Sequence, residues 1–337
     1  MHMPLYRPNC RSEPFYNCLI QLYFFSGKDI ALTMAEPQEE MNMLKTDKNS
    51  RSLVNTHPCF SETAHHTFGR IHLPVAPACN IQCRYCVRKY DCANESRPGI
   101  TSKVLTPEDA MERIRALVER NDRLTVAGIA GPGDPLANAD TYRVLRQINR
   151  EFPNLILCLS TNGLLLPDRL EQIIAAGVRS LTVTVNAISV KTAASIYAWI
   201  VYQGKRYDGE EAAILMLQNQ WQGLYQAVRS GLMVKVNTVH IPGINEFEIP
   251  KIAERAGGLG AHIMNIIPLI PQAEFSHLKR PDYKTVNSMR EKCKPYIAQM
   301  THCRQCRADA CGILGEDKDM ELEVLMARIG EDYIEAV

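Results

Sequence analysis

From residue 124 to 269 the chain alternates short apolar runs with longer segments of helical periodicity. That alternation narrows the possible folds more than any other feature. Strands separated by helices need crossover connections, the crossovers are right-handed, and the strands pair in parallel. The predicted order is strand 124–130, helix 140–151, strand 155–160, helix 167–176, strand 181–185, a long helical region 189–230, strand 233–240, helix 246–256 and strand 262–269. An earlier run, Arg70-Ile71-His72-Leu73-Pro74-Val75, alternates like a strand and brings the count to six, and Thr106 followed by Pro107-Glu108-Asp109 caps and opens a helix after it. The expected fold is α/β, a partial (β/α)6 barrel of the TIM type. A doubly wound open sheet is the alternative, disfavoured because no G-x-G-x-x-G follows the first strand.

Barrel chemistry gathers at the C-terminal ends of strands. The segments expected there are Cys79-Asn80-Ile81-Gln82-Cys83-Arg84-Tyr85-Cys86, Gly131-Pro132-Gly133-Asp134-Pro135, Ser160-Thr161-Asn162-Gly163, Asn186 and Ile241-Pro242-Gly243. The first holds three cysteines spaced C-x3-C-x2-C. Three thiolates on one loop suit a [4Fe-4S] cluster that keeps one iron without a protein ligand. Structural zinc is the competing reading, although it more often shows paired C-x2-C units. The twelve cysteines concentrate in close spacings beside histidine, as metal ligands do, which argues against a disulfide framework.

A net charge of +1 and 22% charged residues give no case for nucleic acid or an anionic membrane. No run of 18 apolar residues exists to span a bilayer. Residues 15–25 superficially resemble an export signal, but Gln21 interrupts them, and a cytoplasmic setting is expected. Residues 1–52 read as a disordered extension, part of which need not belong to the native protein; residues 53–275 form the barrel, and residues 276–337 a C-terminal segment with a helix over 282–300 and an acidic helical tail.

Further ligand candidates surround the loop. His57 and Cys59 precede it, Cys92 follows it, and Cys303 and Cys306 form a C-x2-C beside Arg304 and Arg307. Cys158 shares a strand face with Ser160, so it points into the barrel if Ser160 sits at the mouth. Taken singly, Cys158 also reads as a small buried hydrophobe, His57 as an ordinary loop histidine, and the C-x2-C as half of a zinc knuckle. His65 and His66 are alternatives to His57. Cys293 and Cys311 read as packing residues, and Cys10 and Cys18 carry no assignment. Glu95 is either a labile ligand or proton acceptor, or a surface ion pair with Arg97.

The loop, with an aromatic before its last cysteine, resembles that of the radical S-adenosylmethionine (SAM) superfamily. There the open iron chelates SAM, and one electron cleaves it to a 5'-deoxyadenosyl radical. The longer motifs His57-Pro58-Cys59-Phe60-Ser61, Ala64-His65-His66, Ile71 to Pro77, Arg88-Lys89-Tyr90-Asp91-Cys92, Asn94 to Gly99 and Cys303 to Ala310 resemble the NifB family of nitrogenase cofactor maturases over residues 57–320. The resemblance implies that Cys79, Cys83 and Cys86 hold the SAM cluster. It also implies that His57, Cys59, Cys92, Cys158, Cys303 and Cys306 hold two precursor [4Fe-4S] clusters, K1 and K2. These are fused with a SAM-derived carbide and a ninth sulfur into an eight-iron precursor.

Glu95 and Arg97 are the implied catalytic pair, and Gly131, Gly133, Asp134, Ser160, Asn162 and Asn186 the implied SAM-binding set. Implied partners are SAM, a ferredoxin-like electron donor, an iron–sulfur cluster donor and a carrier that receives the product. Many members carry a further C-terminal carrier-like domain, so this chain reads as a stand-alone core. A peptide-modifying radical SAM maturase and a non-catalytic iron–sulfur scaffold are the competing functions.

Overall fold

The computed structural model describes residues 53–314. The expectations for residues 1–52 and for the acidic tail fall outside that range. Helix α1 (Glu62–Thr67) is capped by Ser61, whose Oγ accepts from the Ala64 N–H. Strands β1 (Gly69–His72) and β2 (Ile81–Cys83) follow. Helix α2 (Pro107–Val118) begins at Thr106, whose side chain accepts from the Asp109 N–H, with proline in the first turn where no N–H is needed. Then come β3 (Leu124–Ile129), α3 (Ala139–Glu151), β4 (Ile156–Thr161), α4 (Leu166–Ala175) and β5 (Val178–Thr184).

Helix α5 (Val190–Ile196) leads into β6 (Tyr197–Tyr202), β7 (Lys205–Asp208) and α6 (Gly209–Arg229). The chain finishes with β8 (Met233–His240), α7 (Ile249–Gly258), β9 (Ile263–Pro268), α8 (Tyr283–Cys293) and β10 (Cys311–Ile313).

Six strands lie parallel in the order β1-β3-β4-β5-β8-β9, and β10 adds to the β1 edge antiparallel. The expected partial (β/α)6 barrel is the fold found. Its two strand faces differ sharply. Leu157, Leu159, Leu181, Val183, Val234, Val236 and Ile266 join the main apolar core. The alternate positions Cys158, Ser160, Thr182, Lys235, Asn237 and Asn265 instead line a cavity. Filling such positions with aliphatic side chains would add about 1.5–3 kcal/mol each. A polar inner wall gives up that stability and leaves room for a guest.

Two expectations are corrected. The long helical region 189–230 is interrupted by the β6–β7 hairpin. The run Tyr-Ala-Trp-Ile-Val-Tyr favours strand, and Gln203 and Gly204 both take positive φ (50° and 75°), as a tight two-residue hairpin turn demands. This hairpin pairs with β2, so a separate three-stranded sheet clamps the cysteine loop. The helix expected over 282–300 stops at Cys293, two residues before Pro295, because proline lacks the N–H and clashes with the preceding turn.

Candidate functional site

The cysteine loop is held from several sides. Its strand β2 pairs with β6. Asp134 N–H donates to Ala78 O at 2.9 Å and Gly133 N–H to Ala76 O at 2.6 Å, so the Gly-Pro-Gly-Asp-Pro turn is zipped to the approach of the loop. Position 133 admits only glycine: a Cβ there would sit 2.2 Å from the Ala78 carbonyl oxygen. Tyr85, the aromatic before Cys86, is buried and donates to Asn94 Oδ1 at 2.6 Å while accepting from Asn186 Nδ2 at 2.8 Å.

Two cavities adjoin one another inside the barrel. The front one is lined by Cys79, Cys83, Cys86 and Cys92 together with Asp134, Ser160 and Asn162. The rear one is lined by His57, Cys59, Cys158, Cys303 and Cys306 together with Arg70 and Lys235. Asn94, Glu95, Ala130 and Ser160 belong to both walls. The fold thus brings together all nine predicted ligands, the eight cysteines in two groups of four with His57 in the second, and Cys92 falls beside the loop cysteines instead of with the other precursor ligands. Among the described residues no three His, Cys, Asp or Glu side chains are arranged for a single metal ion. The sulfurs ring volumes, not points.

The donors suit a bulky thiolate-bound guest. Burial pushes the Cys83 and Cys79 thiols up, and Cys59 up to about 12, so they hold their protons until a metal displaces them. Burial, followed by Lys235 and His72, pulls His57 down to about 3 and keeps its imidazole neutral, the form that binds iron. His57 Nε2 is buried with no hydrogen-bond partner among the described residues, while Nδ1 accepts from the Cys59 N–H at 3.1 Å. His65, the alternative, packs instead on His66 and His302 at ring-centroid distances of 4.7 and 4.9 Å and lines neither cavity. These residues fit a [4Fe-4S] group at the front loop and thiolate-bound clusters behind it.

The remaining predicted residues separate. Glu95 faces inward: its Oε1 accepts from Ser160 Oγ and from Asn237 Nδ2 at 2.6 Å. Burial raises its carboxyl, and Lys235, Ser160 and Asn237 act in the other direction. The reading of Glu95 as a surface partner of Arg97 is therefore wrong. Arg97 is exposed, donates to Gln305 O at 3.2 Å and lines neither cavity.

Asp134 lines the front cavity, but its oxygens already accept from Leu136 N, Asn162 N and twice from Thr161 Oγ1. Burial still pushes it up to about 6. Asn162 donates to Asn80 Oδ1 at 2.7 Å and lies 3.8 Å from Cys79 Sγ. Gly131 and Asn186 line neither cavity; Asn186 positions Tyr85. Cys293 and Cys311 are buried in the main core.

Sequence reasoning missed three contributors. Lys235 is 6% exposed on the inner face of β8. Arg70 donates from Nη2 to Cys306 Sγ at 3.1 Å. Asp91 accepts from Ser102 N, Ser102 Oγ and Ala308 N at 2.9, 2.6 and 3.1 Å, tying the segment that carries Cys92 to the one that carries Cys303 and Cys306. A lysine and an asparagine at alternate positions of a strand buried on both faces were the available signal.

Residues 73–256 match the radical SAM superfamily. The chain belongs to that superfamily. Among curated relatives it is similar to the "FeMo cofactor biosynthesis protein NifB" of Klebsiella pneumoniae, 47% identical over 278 residues, which is 80% of this chain and 59% of that protein. The protein of the same name from Chlorobaculum tepidum is 43% identical over 82% of this chain and 66% of its own length. That from Azotobacter vinelandii is 41% identical over 81% and 56%. The NifB resemblance read from the motifs is thus borne out along most of the chain. The chain spans less than two thirds of the length of these relatives.

Proposed function

We propose that this radical SAM protein builds the eight-iron precursor of the nitrogenase cofactor, joining two [4Fe-4S] substrates and inserting a SAM-derived carbide and a ninth sulfur. The observation that carries the reading is the pair of cavities with one common wall. A [4Fe-4S] cluster held by Cys79, Cys83 and Cys86 supplies the reductive SAM chemistry. Asn162 and Ser160, in the wall of the front cavity, orient SAM; Asp134 acts through Asn162, by holding the Thr161 hydroxyl and the Asn162 N–H. The rear set, together with Cys92 of the front cavity, provides six ligands for two substrate clusters. That number leaves irons without protein ligands and therefore open to bridging.

Glu95 stands where the two cavities meet. Its carboxylate, aimed by Ser160 and Asn237, is placed to take a proton as the transferred carbon loses hydrogen. Arg97 acts as a positioning residue through its bond to the segment between Cys303 and Cys306. A ferredoxin-like electron donor, a cluster donor and a receiving carrier complete the reading, in a cytoplasmic setting.

The test is a strictly anaerobic assay of reconstituted protein with dithionite and SAM that quantifies S-adenosylhomocysteine and 5'-deoxyadenosine together. Both products are expected, because one SAM gives a methyl group while another supplies the radical. Deoxyadenosine alone from fully loaded protein would favour a side-chain-oxidising maturase. Neither product would leave a cluster scaffold.

A further inference from the structure

A lysine buried inside a barrel is costly unless something offsets its charge. Lys235 sits at 6% exposure on β8, paired in register with Thr182 of β5 and Ile263 of β9, and lines the rear cavity. No carboxylate lies within ion-pair distance of its Nζ among the described residues. The one acid in that cavity, Glu95, spends Oε1 on Ser160 and Asn237. The groups that face Lys235 are the sulfurs of Cys59, Cys158 and Cys303 and the carboxyl of Glu95. Arg70, on the other side, already donates to Cys306 Sγ and to Gly312 O. The rear cavity therefore holds two buried cations against one acid. The front cavity shows the opposite bias, with Asp134 in its wall and Arg88 at its rim bound to Gln82 and the Ile81 carbonyl.

The geometry points to Lys235 as the counter-charge that holds the anionic iron–sulfur cargo in the rear cavity, a positioning residue that makes this chamber take up and retain a polyanion. The inference rests on the proposed function. Among the described residues the ammonium has no ion-pair partner, whereas a thiolate-bound cluster brings the negative charge it lacks. Replacing the lysine by an apolar residue should then leave the metal-free protein as stable or more so, while weakening the loaded one. A lysine serving the fold would behave in the reverse way.

The experiment uses full-length protein, reconstituted anaerobically, as parent, Lys235→Met and Lys235→Arg. Three readouts are taken: thermal unfolding of the metal-free proteins, the rate of iron release to a ferrous chelator, and the reduction potentials of the bound clusters. For Lys235→Met we expect unfolding at or above the parent temperature and rear irons released about tenfold faster or more. The rear potentials should move to more negative values, because a lost cation disfavours the reduced state, and the front irons should be unchanged. Lys235→Arg should recover part of the retention.

Equal release rates and potentials in parent and Lys235→Met would overturn the inference alone. So would a lower unfolding temperature with both iron pools released equally fast. A parent protein that loads iron only at the front loop would overturn the cargo assignment and the inference together.

Discussion

The two cavities differ in how the chain builds them. All four sulfurs of the front cavity come from residues 79–92, a single loop and its extension. The rear cavity collects its ligands from residues 57 and 59, from strand β4 and from residues 303 and 306, so it exists only once the sheet has closed. A local ligand set can form early and tolerate strain elsewhere; a dispersed one depends on every tie between its segments. The charges differ in the same sense. The local cavity carries an acid of its own, Asp134, and the dispersed one carries two buried cations.

The largest effect that sharpens this contrast is on chemistry. Cys83→Ala should reduce both SAM-derived products to background. Cys303→Ala with Cys306→Ala should keep 5'-deoxyadenosine formation while losing the iron–sulfur product; simultaneous quantification of nucleosides and product separates the two. If the double variant kept full iron content and product yield, the rear assignment would be wrong.

Next is the tie between segments. Asp91→Ala strands three donors, at Ser102 N, Ser102 Oγ and Ala308 N. It should cost about 4 kcal/mol in denaturant unfolding of the metal-free protein. It should also speed iron release from the rear cavity more than from the front.

A smaller effect is electrostatic. Asp134 releases its proton near pH 6 in the fold against an ordinary value of 3.8. Between those values the unfolded chain binds fewer protons at this position than the native one, so the contribution of Asp134 to stability falls as pH rises through the window, by about 3 kcal/mol in full. His57, pulled down to about 3, contributes the opposite slope. The Asp134 contribution is therefore read as a difference in unfolding of the metal-free proteins: between pH 4 and 7 the Asp134→Asn variant should gain stability relative to the parent as pH rises. Smallest is the hairpin that clamps the loop. Gly204 has a φ of +75° and an added Cβ there would meet nothing within 4 Å, so Gly204→Ala carries only the backbone strain. About 1 kcal/mol should be lost, read as a lower unfolding temperature with unchanged iron content.

The same contrast explains what was legible in the sequence. Six strands and most of their helices follow from alternation, and the front ligands from the spacing of three cysteines. Cys158 was readable as inward-facing because it shares a face with Ser160. The grouping of Cys92 with the loop cysteines was not, since a loop position carries no periodicity.

The hairpin at 197–208 was hidden between helix-forming neighbours, and its turn is Gln-Gly, not the more telling Asn-Gly. Glu95 was set against Arg97 by their separation of two residues, yet its carboxylate turns inward to Ser160 and Asn237, a long-range arrangement that local spacing cannot encode. Lys235 and Arg70 gain meaning only when the inner face of the sheet is seen to surround a cavity.

The most direct measurement is an iron count with Mössbauer and EPR spectra on a Cys79→Ala, Cys83→Ala, Cys86→Ala triple variant beside the parent, both reconstituted under the same conditions. Two separate chambers predict a loss of about four irons from a total of about twelve, with the remaining clusters spectroscopically unchanged. Loss of all iron, or of none, would contradict the division into a front cofactor site and a rear substrate site.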